Sequence, residues 1–305
     1  MTYAAAVVAD SINNGVRLTT LEATFPRYIL AEFNTHRVFS RNSASSRAIP
    51  VKTRVQQVRD TPFTPEFTKN KPGMQGDGML AGTYLNSAIT VWDGASRTAA
   101  DYAEALAHSD VHKQQANRLL EPFVWHTVVV TATDWDNFFA LRLHPDAAPE
   151  IQRAAQAMKN AMDASTPKEL NVGEWHVPYV EHSEMGYGHH DDSDIRIVAT
   201  SVARCAAVSY ERQRAEKSVE EYVARHDALK ASGHWSPFEH QARVATAEEI
   251  RAHAYFKVVG GNMAVCTDGR WSATDARLVP VSIGNFAVPW FQYRKMVPGE
   301  SVFRP

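Results

Sequence analysis

Two stretches of the chain concentrate groups that could do chemistry on an anion. The first runs Thr35-His36-Arg37-Val38-Phe39-Ser40-Arg41-Asn42-Ser43-Ala44-Ser45-Ser46-Arg47; the second is Asn137-Phe138-Phe139-Ala140-Leu141-Arg142, continuing to His144. A serine-rich turn offers backbone N–H groups and hydroxyls, and Arg47 adds a guanidinium that can grip two oxygens at once, a combination suited to a phosphate. The same composition also serves surface turns that bond only to themselves. The 305 residues hold 32 basic and 34 acidic side chains, a net charge of −2, so no broad nucleic-acid surface is expected and an anion must be met by a local cluster. Two cysteines, Cys205 and Cys266, argue against a disulfide framework or a cysteine-rich metal site.

The elements that must position these groups can be read from pattern and punctuation. With 44% hydrophobic and 22% charged residues the chain has an ordinary globular balance. No run reaches the roughly 18 apolar residues of a membrane helix, so a soluble cytoplasmic protein is expected. Ala4 to Ser11 and Val16 to Phe25 form two β-prone runs around Asn14-Gly15, a hairpin pattern. Pro26 suits the first position of a helix on which Ile29, Phe33 and His36 share a face, with Glu32 one turn before His36. Residues 40–46 read as a loop. Helices are expected over Ala88 to His108 and Val111 to Leu120, the latter capped by Asp110, then after Thr133 or Asp134 through Leu141, and from Pro149 with an apolar stripe of Ile151, Ala155, Met158 and Met162. The Val128-Val129-Val130 run is too short to assign. Residues 171–195 read as a long irregular connection, followed by helices over Ala199 to Ser209 and Val219 to Ser232, the second stopped by Gly233.

The first stretch resembles the signature of the flavin-dependent thymidylate synthases: Arg-His-Arg, two spacers, Ser, one spacer, Asn, two spacers, Ser, one spacer, Arg. Six of the seven positions agree, with Thr35 where the signature has its first arginine. The second stretch, with Glu150-Ile151-Gln152 after it, is similar to that family's Asn-Phe-x-x-Leu-Arg segment. Ala206-Ala207-Val208-Ser209-Tyr210 and Gly233-His234-Trp235-Ser236-Pro237-Phe238-Glu239-His240 resemble two further segments that in the family precede the signature; here they follow it. The resemblance therefore implies a single α+β domain over 1–305, an antiparallel sheet packed with helices, circularly permuted near 171–195. Pro289 to Arg294 faintly resembles the family's arginine-rich helix.

What the resemblance implies for function is specific. A one-carbon unit would pass from methylenetetrahydrofolate to C5 of a pyrimidine deoxynucleoside monophosphate, with FAD as cofactor, NADPH as reductant and an active site formed between subunits of a homotetramer. His36, Arg37, Ser40, Asn42, Asn137, Ser209, Ser236 and Glu239 would contact the flavin. Ser43, Ser45, Arg47, Arg118 and Arg142 would hold the nucleotide, and Arg142 and Glu32 would act on the base. Glu32 stands where the family commonly has glutamine, and a carboxylate that only accepts suits the amino group of cytosine, so dCMP joins dUMP as a candidate substrate. Ser236-Pro237 with Glu239 is equally a helix-start pattern. Two other readings remain: a metal hydrolase built on His182, His189, His190, Asp191 and Asp192, and a nucleotide-binding protein without turnover.

Overall fold

The Asn14-Gly15 turn closes the first hairpin because both residues take positive φ, 47° and 77°, the twist a two-residue connection requires. The computed structural model describes residues 1–73, 75–181, 191–209, 217–259, 262–265, 271–274 and 277–301, with backbone alone at 191–193, 209, 256–259, 262–265, 271–274 and 277–278. The hairpin strands are β1 (Ala4–Asn13) and β2 (Val16–Pro26); a 3-10 turn (Arg27–Ile29) and α1 (Leu30–Phe33) lead to β3 (Ser40–Ser43). Next come α2 (Val51–Asp60), α3 (Gly82–His108), α4 (Lys113–Ala116), a 3-10 segment (Asn117–Phe123), β4 (Trp125–Ala132), α5 (Asp136–Arg142), α6 (Pro149–Asp163) and β5 (Lys168–Glu169). The remainder holds β6 (Trp175–His176), α7 (Asp191–Ala206), α8 (Val219–Ala231), a 3-10 turn (Ser236–Glu239), β7 (Ala242–Val244) and α9 (Ala247–His253). It closes with β8 (Tyr255–Val259), β9 (Asn262–Val265), β10 (Trp271–Thr274), β11 (Arg277–Ile283), β12 (Phe286–Ala287) and β13 (Trp290–Gln292).

The architecture is mixed α+β. One sheet has the order β3-β4-β2-β1-β5, antiparallel except for the β1–β5 pair; a second runs β12-β11-β13-β7-β6, with β8 also on β11. The first sheet has two different faces because side chains alternate along a strand. Leu21, Ala23 and Phe25 of β2, with Val128, Val130 and Ala132 of β4, join Phe33, Trp135, Phe138 and the Ile151–Ala155–Met158 stripe of α6 in one core. The opposite face turns Leu18 toward Ala242, Val244, Phe286 and Trp290, and Val129 toward Cys205 and Val208, so the C-terminal third packs there. Thr20 and Thr131 on this face join a buried polar chain: Ser11 to His176 (2.9 Å), His176 to Thr20 (2.8 Å), Thr20 to Thr131 (2.7 Å), and Thr131 to His240 (2.9 Å). Burial pushes both His176 and His240 down to about 3.

Several expectations are corrected. The helix after Pro26 stops at Phe33, where the Thr35 hydroxyl takes the Glu32 carbonyl at 2.7 Å, so His36 lies beyond it in a turn. Residues 40–43 form a strand rather than a loop because β4 supplies the ladder from Ser40–Thr131 to Ser43–Val128. The unassigned valine run is the middle of β4, buried on both faces. Asp110 does not cap: it takes φ 59°, and His112 accepts from the Gln114 N–H instead. Helix α3 begins at Gly82, six residues before the expected start. Neither Thr133 nor Asp134 caps α5, since Trp135 holds that position and Thr133 accepts from the Ala287 N–H. Among the described residues of the 171–195 connection are β6 and the first turn of α7, residues 182–190 lying outside the described ones, and Pro289 to Arg294 forms β13 and a 3-10 turn rather than a helix. No described helix is long and apolar enough to cross a membrane.

Candidate active site

The turn after β3 is held both by its own bonds, Ala48 N–H to Ser45 O (3.0 Å) and Arg47 N–H to the Ser45 hydroxyl (3.2 Å), and by its neighbours. The Ala44 N–H donates to Thr127 O (3.0 Å), the Asn117 amide donates to Ser46 O (2.8 Å) and Ile49 O (2.9 Å), and the Lys113 ammonium donates to Ala48 O (3.1 Å). With its carbonyls thus engaged, the turn presents Ser43, Ser45 and Arg47 to a cleft of about 440 Å³. Arg27 enters from the turn after β2, Arg118 from the segment before β4, Arg225 from α8, and Arg41 and Asn42 from β3. Glu121 pairs with Arg27 (3.1 Å) and Arg118 (2.9 Å) and accepts from the Ser46 hydroxyl (2.9 Å), fixing two of the guanidiniums. Five arginines with hydroxyls among them gather positive charge and hydrogen-bond donors on one concave surface.

Segments far apart in sequence meet at this cleft. Asn42, 8% exposed, donates through Nδ2 to Cys205 O at 2.8 Å and accepts at Oδ1 from the Ser236 hydroxyl at 3.0 Å. The signature strand is thereby tied to the end of α7 and to the 236–239 turn. Ser236 is not the helix cap its sequence resembles; Trp235 precedes the turn and the hydroxyl goes to Asn42. The side chain of Ser209 lies outside the described residues, as do those of Cys266, His182, His189, His190, Asp191 and Asp192. Among the described residues no group of three His, Cys, Asp or Glu side chains could hold a metal ion.

A second cluster forms at the other end of β3. Arg142, in the last turn of α5, donates Nη1 to Glu32 (2.5 Å), Nε to His36 Nε2 (2.9 Å) and Nη2 to the Thr35 hydroxyl (3.1 Å). Because His36 Nε2 accepts, its proton sits on Nδ1; burial, then Arg142 and Arg41, hold its pKa below the usual value. The ring stands edge-on to Phe138 at 4.9 Å and stacks near Phe39 at 5.8 Å, so the aromatic core sets its orientation. Arg41 Nη1 donates to His36 O at 3.2 Å, linking this cluster to the cleft.

The expected site residues therefore divide. Ser43, Ser45, Arg47, Arg118, Asn42 and Ser236 line the cleft; Glu32, His36 and Arg142 sit together outside its lining. Arg37 and Asn137 are exposed. Ser40 is fully buried and accepts from Asn285 (3.1 Å) and Gln292 (2.9 Å), which anchors the C-terminal strand to β3. Glu239 is turned to Arg294, and burial raises its pKa against the opposing pull of Arg294 and Arg41. Sequence reasoning missed Arg27, Arg41 and Arg225: Arg41 occupies a spacer of the signature, and nothing local marks Arg225.

Two crystal structures of a UMP/dUMP methylase, PolB from Streptomyces cacaoi, resemble the chain. The one bound with 5-Br dUMP is 18% identical, with a TM-score of 0.39, over 48% of this chain and 66% of that chain. The one bound with 5-Br UMP is 19% identical, with a TM-score of 0.38, over 48% and 68%. The chain thus spans about two thirds of the length of these structures. No curated protein sequence matches it. The family model described as thymidylate synthase complementing protein matches residues 13–168, just over half of the 305 residues, from the first hairpin to β5 and including both clusters' signature segments. The chain belongs to that family, the flavin-dependent thymidylate synthases.

Proposed function

We propose that the protein transfers a one-carbon unit from methylenetetrahydrofolate to C5 of a pyrimidine deoxynucleoside monophosphate, dUMP in the first instance, in a circularly permuted version of the family's domain. The observation that carries this reading is the cleft: five arginines, Ser43, Ser45 and Asn42 converge on a space sized for a phosphate-bearing ligand in a protein whose overall charge is −2. The donor set also fits the pyrophosphate of FAD, with Asn42 and Ser236 on one wall. When bound, the reduced flavin supplies the hydride and NADPH restores it.

The chain's own task is to bind and polarise. Arg47 and Arg118 would grip phosphate oxygens, and Arg142, placed against a ring carbonyl, would stabilise the negative charge that develops on that oxygen when C5 loses its proton. Because Arg142, Glu32 and Thr35 stand apart from the cleft lining, the two clusters are halves of one site completed by a second copy, in a homotetramer. Mixing Arg47→Ala with Arg142→Ala protein tests this: each alone is inactive, and the mixture regains roughly a quarter of wild-type turnover, the statistical share of sites with both halves intact. No recovery places both arginines in the same chain's site. Failure to bind FAD, followed by its absorption spectrum, together with failure to bind dUMP, removes the proposal itself.

A second reading keeps the same site with dCMP as substrate. It rests on Glu32, whose carboxylate is held by Arg142 at 2.5 Å and offers acceptors where a uracil edge would want a donor.

A further inference from the structure

We infer that Arg225 is a phosphate-binding residue of the cleft, outside the family's signature segments; the inference rests on reading the cleft as the nucleotide site. Helix α8 buries Tyr222 and His226 on one side and turns Arg225 and Leu229, one turn apart, to the cleft. The Nε–H of Arg225 is buried and has no hydrogen-bond partner among the described residues. Native proteins pair nearly all such groups, so a buried guanidinium N–H facing a cleft calls for an acceptor from a ligand.

The acidic residues nearest in sequence are committed elsewhere. Glu220 pairs with Arg196 at 3.4 Å, Glu221 closes a capping box with Ser218, and Asp227 bonds His226 at 2.9 Å. Glu121, the counter-ion of Arg27 and Arg118, makes no ion pair with Arg225. A phosphate ester meets the remaining demand, because its oxygens accept from Nε and a terminal nitrogen of one guanidinium together. The phosphate can come from the nucleoside monophosphate or from the pyrophosphate of the dinucleotide cofactor.

Calorimetric titration of the full chain separates these sources. For wild type, Arg225→Met, Arg225→Lys and Arg47→Ala, affinities are measured for dUMP against deoxyuridine and for FAD against riboflavin, with urea midpoints to confirm folding. Arg225→Met keeps an aliphatic stem and removes the charge. The expected result is a roughly ten- to hundredfold fall in one phosphate-dependent ratio, partial retention by Arg225→Lys, and unchanged affinity for deoxyuridine and riboflavin. A fall in the dUMP ratio assigns Arg225 to the nucleotide, and a fall in the FAD ratio assigns it to the cofactor. Unchanged ratios in both Arg225 variants, while Arg47→Ala lowers the dUMP ratio, overturn the role of Arg225 and leave the cleft standing. Unchanged ratios in Arg47→Ala as well remove the cleft reading and the role of Arg225 with it.

Discussion

Asn42→Ala deletes two of the bonds that join the signature strand to the C-terminal third, the Ser40 contacts to Asn285 and Gln292 being two others. The Nδ2 donor to Cys205 O at 2.8 Å and the Oδ1 acceptor for Ser236 at 3.0 Å disappear together, at a residue 8% exposed. A buried group that loses its partner costs about 1–3 kcal/mol, so the variant is expected to lose roughly 2–4 kcal/mol of unfolding free energy. Ser236→Ala removes one donor at a half-buried position and is expected to cost about 1 kcal/mol. The double variant should be less damaged than the sum by about 0.5–1.5 kcal/mol, because the Asn42–Ser236 bond is counted twice in the single variants. Urea denaturation followed by tryptophan fluorescence measures all four proteins. An Asn42→Ala loss below about 0.5 kcal/mol, or strict additivity, would refute the claim that this side chain fastens the two regions.

Three other predictions concern pH, packing and substrate. His126, His176 and His240 are buried with pKa values pushed down to about 3, so their contribution is fully present above the unfolded value near 6.5. It is lost as pH falls from there toward 3, by about 1.4 kcal/mol per histidine per pH unit; urea midpoints that stay flat between pH 6.5 and 4.5 would contradict this. Phe138→Ala opens a cavity beside Phe33, Phe39 and the His36 ring and is expected to cost about 3–5 kcal/mol, measured by thermal unfolding; a loss under 1 kcal/mol would show that this ring does not support α5. If dCMP is the substrate, Glu32→Gln shifts turnover toward dUMP by restoring a donor; exclusive use of dUMP by wild type, unchanged in the variant, ends the cytosine reading.

Local chemistry written into adjacent residues was legible without coordinates. Asn14-Gly15 dictated a hairpin because only residues tolerant of positive φ close it, and Ile151, Ala155, Met158 and Met162 fixed one face of α6 by their spacing. The serine–arginine turn stood out in the sequence as a cluster of hydrogen-bond donors, and its residues line one cleft. Tertiary structure decided what each hydroxyl and charge is used for. Ser40 accepts from Asn285 and Gln292, partners no local pattern names, and residues 40–43 become a strand because β4, some 85 positions later, supplies the ladder. Glu32, His36 and Arg142 converge because the aromatic core brings α5 against the turn after α1, yet they stand apart from the cleft. Arg225 gave no local sign, since a helix pattern records which face is apolar and not which distant loop a charged side chain will face; that pairing exists only once α8 has packed.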